Sequence, residues 1–369
     1  MLLPLALFGL TACAQGLNLP SFARPTFPPS TIDNDGTFFG RYDVRKTMAL
    51  LDPDPRSINS YFFTFWLTTV DGGKYHATLN PFLTGSTASA GTFSLNDLTT
   101  LESKGAVAFG PASGSVESLN VQSATHNLSS PVGSDNYTTM KLDGDYAGFA
   151  LNTIIHPTGP NIYFGGSGGM SLPGNTGNDT NVPIGWSWYW GNPHLQVEGT
   201  VTVNGTALEI DSSQSFGFLE RQYGLFSVGP KGFILFWLYL PSGEFVHIWV
   251  VSPHEDGTGD AALATVWHPN GLHQNVPVDM NTTRAWDESV GATGRRYFNK
   301  FQVGLPAINA SFTINKWIRD AECAPPAAAA AAGVTPLSES YCDGEALWNG
   351  ETVPVFGHCE QLSALFTEN

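Results

Sequence analysis

Residues 60–79, SYFFTFWLTTVDGGKYHATL, decide the fold class. The first ten of them are rich in aromatic and β-branched residues, which favour strands. Val70-Asp71-Gly72-Gly73 then supplies a turn, because glycine adopts the positive φ angles that tight hairpins need. A second β-rich run follows from Lys74, so the segment predicts a β-hairpin.

The same pattern of strand, turn and strand recurs later in the chain. Residues 196–203 and 207–210 flank Asn204-Gly205, residues 233–240 and 245–251 flank Pro241-Ser242-Gly243, and residues 261–267 follow another glycine-rich turn. Short strands bounded by such turns predict an all-β sandwich or barrel. A glycine-rich stretch over residues 165–182 interrupts the pattern. We therefore predict an N-terminal β-domain over residues 20–190 and a C-terminal β-barrel domain over residues 191–369.

The composition narrows the functional class. Of 369 residues 42% are apolar and only 13% are charged, with 40 glycines and 25 prolines. This mix disfavours long helices, and 12% aromatic residues disfavour disorder. The 16 basic residues face 32 acidic ones, a net charge of −16. We therefore expect no binding to nucleic acid and none to an anionic membrane surface, and no stretch is long enough to predict a membrane span.

Residues 1–14, MLLPLALFGLTACA, predict a secretory signal peptide, because the run is apolar, short and ends in small residues. The alternative is a bacterial lipoprotein box at Leu10-Thr11-Ala12-Cys13. Six glycosylation sequons favour the secretory route, and we expect the protein in the secretory pathway lumen or secreted. The sequon asparagines are Asn127, Asn136, Asn178, Asn204, Asn281 and Asn309.

Cleavage after residue 14 leaves three cysteines. We predict a disulfide between Cys323 and Cys342, which flank a Pro- and Ala-rich insertion whose closure contributes about 3 kcal/mol. The alternative pair is Cys342 with Cys359.

The common enzyme motifs are incomplete. Gly165-Gly166-Ser167-Gly168-Gly169 matches a nucleophile elbow, but Pro173 and Gly174 follow where that motif needs a helix. Zinc-binding helix motifs, phosphate-binding loops and dinucleotide fingerprints are absent from the sequence. We expect a glycine-rich loop at 165–169, no metal and no cofactor.

Several segments of the second half resemble one superfamily. They are Trp186 to Pro193 with the strand 197–205, Glu220-Arg221-Gln222-Tyr223-Gly224, Trp286 to Ser289 with 293–297, Tyr341-Cys342-Asp343-Gly344 and Gly357-His358-Cys359-Glu360. In this order they resemble the lipocalin-like superfamily of hydroxyneurosporene synthase, kievitone hydratase, fungal Diels-Alderases and fungal quinolone epoxide-rearrangement proteins. The resemblance implies two tandem lipocalin-like β-domains, with substrate in the barrel or between the domains, and no cofactor for the fungal cyclases and isomerases.

Alternation along residues 217–224 places Glu220 and Gln222 on one face of a strand. In an apolar pocket the pKa of the Glu220 carboxyl would rise, as a general acid requires. The alternative is a structural role for Glu220, either in a salt bridge with Arg221 at a sheet edge or in a hydrogen bond. His358 and Glu360 also share a face and are predicted as a second acid/base element or as a satisfied core pair.

Aromatic and polar residues on the other strands are predicted to bind a hydrophobic substrate, since pocket walls are mainly apolar. They are Trp66, Trp188, Trp190, Tyr223, Trp237, His247, Trp249 and Asp343. The leading hypothesis is acid-catalysed rearrangement or cyclisation of a prenylated or polyketide-type intermediate, with epoxide opening as the reaction. The alternatives are a hydratase acting on a prenyl double bond and a non-enzymatic carrier.

Overall fold

The computed structural model describes residues 43–49, 57–84, 87–146, 148–166, 168–172, 185–226, 232–253, 259–331 and 333–362. Within these ranges the chain forms two antiparallel sheets, and the predicted all-β class is confirmed. Two short α-helices are α1 (Val44–Met48) and α2 (Ala327–Ala331), and 3₁₀ turns cover Phe164–Gly166 and Pro306–Ile308.

The first sheet contains β1 (Ile58–Thr68), β2 (Lys74–Asn80), β3 (Phe82–Thr84), β4 (Ala88–Asp97), β5 (Glu102–Pro111), β6 (Ser113–Gly114), β7 (Asn120–Gln122), β8 (His126–Ser129), β9 (Met140–Tyr146), β10 (Phe149–Pro157), β11 (Ile162–Tyr163), β12 (Gly169–Leu172), β13 (Gly185–Val203), β14 (Thr206–Glu209) and β15 (Phe216–Leu225). The second sheet contains β16 (Phe233–Tyr239), β17 (Phe245–Pro253), β18 (Gly259–Trp267), β19 (His273–Pro277), β20 (Arg284–Val290), β21 (Arg296–Leu305), β22 (Ala310–Lys316), β23 (Glu322–Cys323), β24 (Leu337–Trp348) and β25 (Glu351–Leu362).

The hairpins predicted from the turn chemistry are present. β1 pairs with β2 across the 70–73 turn, where Gly72 has a φ of +93°. β13 pairs with β14 across Asn204-Gly205, and β16 pairs with β17 across the turn at 241–244. The 165–169 segment is followed by strand β12 and not by a helix, so the nucleophile elbow is excluded. Ser167 itself lies outside the described residues.

The division between the sheets differs from the domain boundary predicted near residue 190. β13 runs without interruption through that position, and β15 still belongs to the first sheet. The chain passes to the second sheet between Leu225 and Phe233. The strands on both sides of the glycine-rich stretch, β11 and β13, pair with each other within the first sheet, so the stretch does not separate two sheets.

Three apolar clusters hold the fold together. One consists of buried side chains of the first sheet, such as Phe63 and Leu142. Another consists of buried side chains of the second sheet, such as Phe236 and Phe312. The third lies between the sheets and is mostly aromatic, with Trp237 at its centre. Because strand side chains alternate, each strand that lines this interface sends every second residue into it. That aromatic interface also contains the polar groups described next.

The predicted Cys323–Cys342 disulfide is wrong, and all three cysteines of the described residues are free and buried. Cys323 lies opposite Leu337 in the strand register. Leu337 is five residues from Cys342 along β24, about 17 Å at the usual rise per residue. Disulfides need Cα atoms within about 7 Å, so these two cysteines do not meet. The alternative pair, Cys342 with Cys359, is not bonded either.

Candidate active site

A cavity of about 400 Å³ lies between the two sheets. Its wall is mainly apolar, with a few polar groups placed among the aromatic and aliphatic side chains. The lining residues are Ile58, Ser60, Phe62, Asn80, Phe82, Ala90, Thr92, Val107, Phe109, Tyr189, Glu220, Gln222, Phe226, Phe233, Leu235, Trp249, Val334, Thr335, Leu337, Glu360 and Leu362. A mainly apolar wall with few polar groups is typical of small-molecule sites.

Glu220 reaches this cavity because β15 is central in the first sheet and alternates across it. Phe218 lies in the inter-sheet cluster, whereas Leu219 lies in the core of the first sheet. Glu220 therefore faces the second sheet, as the alternation predicted, and only 5% of its surface is accessible. Gln222 lines the same cavity, where its amide donates to the Ser187 hydroxyl at 2.8 Å.

Burial raises the pKa of the Glu220 carboxyl to about 8. A hydrogen bond from the Tyr189 hydroxyl opposes this rise in pKa but does not cancel it. The carboxyl is therefore mostly protonated at neutral pH, which is the state that a general acid needs.

Arg221 does not neutralise Glu220, because it points to the opposite face of β15. Its guanidinium donates to the Thr47 carbonyl and the Asn59 side chain, both at 2.7 Å, and lies 4.0 Å from the ring centre of Tyr61. The alternative of a Glu220–Arg221 salt bridge is thus excluded. Within the described ranges no ion pair involves Glu220.

Tyr189 connects Glu220 to His247. The Tyr189 hydroxyl donates to Glu220 Oε2 and lies 3.2 Å from His247 Nε2. The single hydroxyl proton is used towards Glu220, so the His247 contact requires a proton on Nε2. Burial lowers the pKa of His247 to about 3, and the ring is therefore neutral. The three side chains form a hydrogen-bonded chain through which a proton that Glu220 has lost can be replaced.

A second polar group lies on β24 and β25 of the other sheet. Glu339 and Glu360 are direct cross-strand partners, and His358 is two residues before Glu360 on the same face. His358 Nε2 lies 3.0 Å from Glu339 Oε2, and its Nδ1 lies 3.2 Å from His76 Nε2. Burial raises the pKa of both carboxyls and lowers the pKa of His358. Of the predicted pair, only Glu360 lines the cavity, while His358 lies behind it.

Most of the aromatic residues predicted to bind substrate lie outside the cavity wall; only Trp249 lines it. Trp190 and Tyr223 are on the opposite strand face, against the first core, and Trp188 is 40% exposed. Trp66 and Trp237 are fully buried in the inter-sheet cluster away from the cavity. They build the interface that carries the cavity and do not line it.

Two further predicted residues are displaced from the wall. His247 lies behind Tyr189, as described above. Asp343 lies within β24 and is not part of the cavity wall. It is half-buried, and burial raises its pKa, opposed by a hydrogen bond with Trp317. Asp-Gly is tolerated inside the strand because Gly344 packs against the backbone of Thr313, where a side chain would collide.

Sequence reasoning missed Tyr189, Glu339 and His76. Tyr189 is in the aromatic run 186–190. Its neighbours Trp188 and Trp190 were predicted to bind substrate, but they lie on the other face of β13. Glu339 shares a strand face with Leu337 and Tyr341, and a carboxylate between these two side chains was the available signal. His76 lies in the hairpin that decides the fold, without a local motif around it.

Comparisons with known proteins agree with this architecture. The dehydratase asqC of Emericella nidulans is 24% identical over 243 residues, which are 63% of this chain and 64% of that protein, less than two thirds of its length. No protein-family model matches the chain.

Among solved structures, kievitone hydratase from Nectria haematococca superimposes with a TM-score of 0.75 at 19% identity, covering 93% of this chain and 99% of that one. CghA with Sch210972 superimposes with a TM-score of 0.51 at 13% identity, covering 94% and 98%. The resemblance drawn from the sequence is thus confirmed: the chain is similar to the dehydratase asqC and has the fold of kievitone hydratase.

Proposed function

We propose that the chain is an enzyme of specialised metabolism that binds a hydrophobic small molecule between its two sheets and acts on it by proton transfer from Glu220. The observation that carries this proposal is a neutral carboxyl group in the wall of a mainly apolar cavity. A structural role alone does not require a carboxyl at this buried position, where Tyr189 is its hydrogen-bond donor and no cation pairs with it among the described residues, since burying such a group costs stability.

The size and wall of the cavity support a substrate of isoprenoid or polyketide type. A cavity of about 400 Å³ is within the usual range for small-molecule sites. The aromatic residues Phe62, Phe233 and Trp249 line it. Such ring faces stabilise a nearby positive charge by about 0.5–2 kcal/mol each. A substrate that develops carbocation character therefore fits this wall.

The reaction begins with transfer of the Glu220 proton to an oxygen of the substrate. The C–O bond then breaks, and the oxygen leaves with its electron pair as water, or stays attached as a hydroxyl if an epoxide opens. The cation then loses a proton from a neighbouring carbon, either directly or after a bond within the substrate has formed and shifted the charge. The released proton returns to the Glu220 carboxylate directly or through Tyr189, so atoms and charge balance without an electron donor.

Loss or gain of water is the version that the comparisons favour. The sequence relative is named a dehydratase and the structure with the higher TM-score is a hydratase, which are the two directions of one reaction. Epoxide rearrangement, our leading expectation from the sequence, is the second candidate and is supported by the aromatic wall. A carrier remains the third, because a cavity by itself binds without reacting.

The test is a mass analysis of prenylated, hydroxylated and epoxidised aromatic compounds incubated with the purified protein. Loss or gain of the mass of one water supports the dehydratase and hydratase reading. A product isomer of unchanged mass supports rearrangement. Tight binding without turnover contradicts the proposed enzyme and supports a carrier.

We also propose passage through the secretory pathway. Residues 1–14 and Asn178 lie outside the described residues. Four of the remaining sequon asparagines, Asn127, Asn204, Asn281 and Asn309, are exposed, whereas Asn136 is half-buried and hydrogen-bonded to the backbone of Leu119. A gel-mobility shift after treatment with a glycan-removing amidase is expected following eukaryotic expression, and an unchanged mobility contradicts the proposal. No helix among the described residues has the length and apolarity needed to cross a membrane.

A further inference from the structure

Glu339, His358 and Glu360 converge on one point beside the cavity. Each offers one ligand atom, and these atoms all lie within 4.8 Å of one another. The convergence follows from strand register, because Glu339 is directly opposite Glu360 and Tyr341 is directly opposite His358.

Several polar atoms of this cluster have no hydrogen-bond partner. Both carboxylate oxygens of Glu339 are fully buried and have no hydrogen-bond partner. His358 Nε2 is only 3.0 Å from Glu339 Oε2, yet the contact lacks hydrogen-bond geometry. The nearby Lys316 ammonium is bound instead to the Ser338 hydroxyl at 2.7 Å and the Arg319 carbonyl at 3.0 Å. A buried carboxylate in this state is costly unless a cation neutralises it.

We propose that Glu339, His358 and Glu360 bind one divalent metal ion, zinc by the chemistry of the donors. Two carboxylates and a neutral imidazole balance the charge of a divalent ion and are ligand types that zinc accepts. Ligand atoms of a tetrahedral zinc site are about 3.3 Å apart, from bond lengths near 2.0–2.1 Å. The 3.0 Å separation of His358 Nε2 and Glu339 Oε2 is close to this value, and Glu360 offers a ligand atom within 4.8 Å of both.

The surroundings of His358 support its role as a ligand. Metal-binding histidines usually bond through their second ring nitrogen to a partner that fixes the ring. Here His358 Nδ1 contacts His76 Nε2 at 3.2 Å, and the ring stacks on Trp237 with centroids 4.8 Å apart. An imidazole ligand favours zinc over magnesium or calcium, which prefer oxygen ligands alone.

The proposed ion lies at the cavity wall because Glu360 is part of that wall. With three protein ligands, a tetrahedral ion would have a fourth position for a further ligand. An oxygen of a molecule held there would bind to the ion, whose charge polarises that oxygen. Glu220 belongs to the other sheet and is not one of the proposed ligands, so metal binding and proton donation are tested with different variants.

The test measures metal binding directly on tag-free protein stripped with a chelator. After dialysis against Zn²⁺, elemental analysis is expected to find one ion per chain, and Co²⁺ is expected to give visible absorption of a four- or five-coordinate site. Glu339→Gln and His358→Gln are expected to weaken binding at least 10-fold. The matched control is His126→Gln, another buried histidine, which packs beside Phe93 in the first sheet and is expected to retain one ion.

Circular dichroism in the absence of metal shows whether each variant is folded, and the wild-type stoichiometry decides even if one variant is not. Absence of bound Zn²⁺ and Co²⁺ in the wild type overturns the proposal. Equal loss in His126→Gln and His358→Gln also overturns it. Proton donation by Glu220 is tested separately by Glu220→Gln, so failure of the metal proposal and failure of the proposed function are distinguishable.

Discussion

Replacing Glu220 by Gln is expected to stabilise the folded protein at alkaline pH while it removes the proton donor. The pKa of this carboxyl rises from 4.5 to about 8 on folding. Between these pH values the folded protein therefore holds a proton that the unfolded chain has lost. The stabilising contribution is complete below pH 4.5 and is lost progressively as the pH rises towards 8. At about 1.4 kcal/mol for each factor of ten in proton affinity, the full difference is at most about 5 kcal/mol.

The assay is urea unfolding followed by tryptophan fluorescence near pH 5 and near pH 8. Wild type and Glu220→Gln should have similar free energies of unfolding near pH 5. Near pH 8 the variant should be more stable by several kcal/mol, because glutamine keeps the shape of the side chain and has no proton to lose. The matched control is Glu198→Gln on the exposed face of β13, for which we expect a change within about 0.5 kcal/mol.

A stability difference between wild type and Glu220→Gln that is the same at both pH values would refute the reasoning. It would mean that Glu220 has the same pKa in the folded and unfolded states, and hence that the cavity does not hold a neutral carboxyl.

Three further outcomes are expected. Tyr189→Phe removes the hydrogen bond that lowers the pKa of Glu220, so the alkaline limb of the pH–rate profile should move up by about one pH unit, and an unmoved limb contradicts this link. Ala90→Phe fills part of the cavity and should abolish binding of any turned-over compound while costing about 1–3 kcal/mol of stability; calorimetry that detects unchanged binding contradicts the location of the site. Alkylation after denaturation without reductant should modify all three cysteines of the described residues, Cys323, Cys342 and Cys359. A disulfide-linked peptide containing any of them in mass spectrometry contradicts this expectation.

The fold was predictable because its signals are local. Asn204-Gly205 and the 70–73 turn specify hairpins from backbone conformation alone, and the aromatic β-rich runs specify strands. The point where the chain leaves the first sheet was not predictable, because β15 pairs with β1, more than 150 residues earlier. A long-range pairing of this kind leaves no trace in local composition.

The candidate site was predictable only where strand alternation sufficed. Glu220 and Gln222 follow from the two-residue period of β15, and both line the cavity. The same reasoning gave a wrong prediction for Trp190, which does not line the cavity. The sequence does not tell which face of β13 meets the second sheet. Glu339 was missed because its partners come from other strands. Registers between distant strands, and not residue types, place these groups together.

Infrared spectroscopy of the Glu220 carboxyl tests the central claim most directly. A protonated carboxyl has a carbonyl stretching band that its carboxylate lacks, and subtraction of the Glu220→Gln spectrum isolates the band of this residue. The account predicts that the band persists at neutral pH and disappears as the pH rises through about 8. Disappearance of the band near the ordinary glutamate pKa of about 4.3 would contradict it.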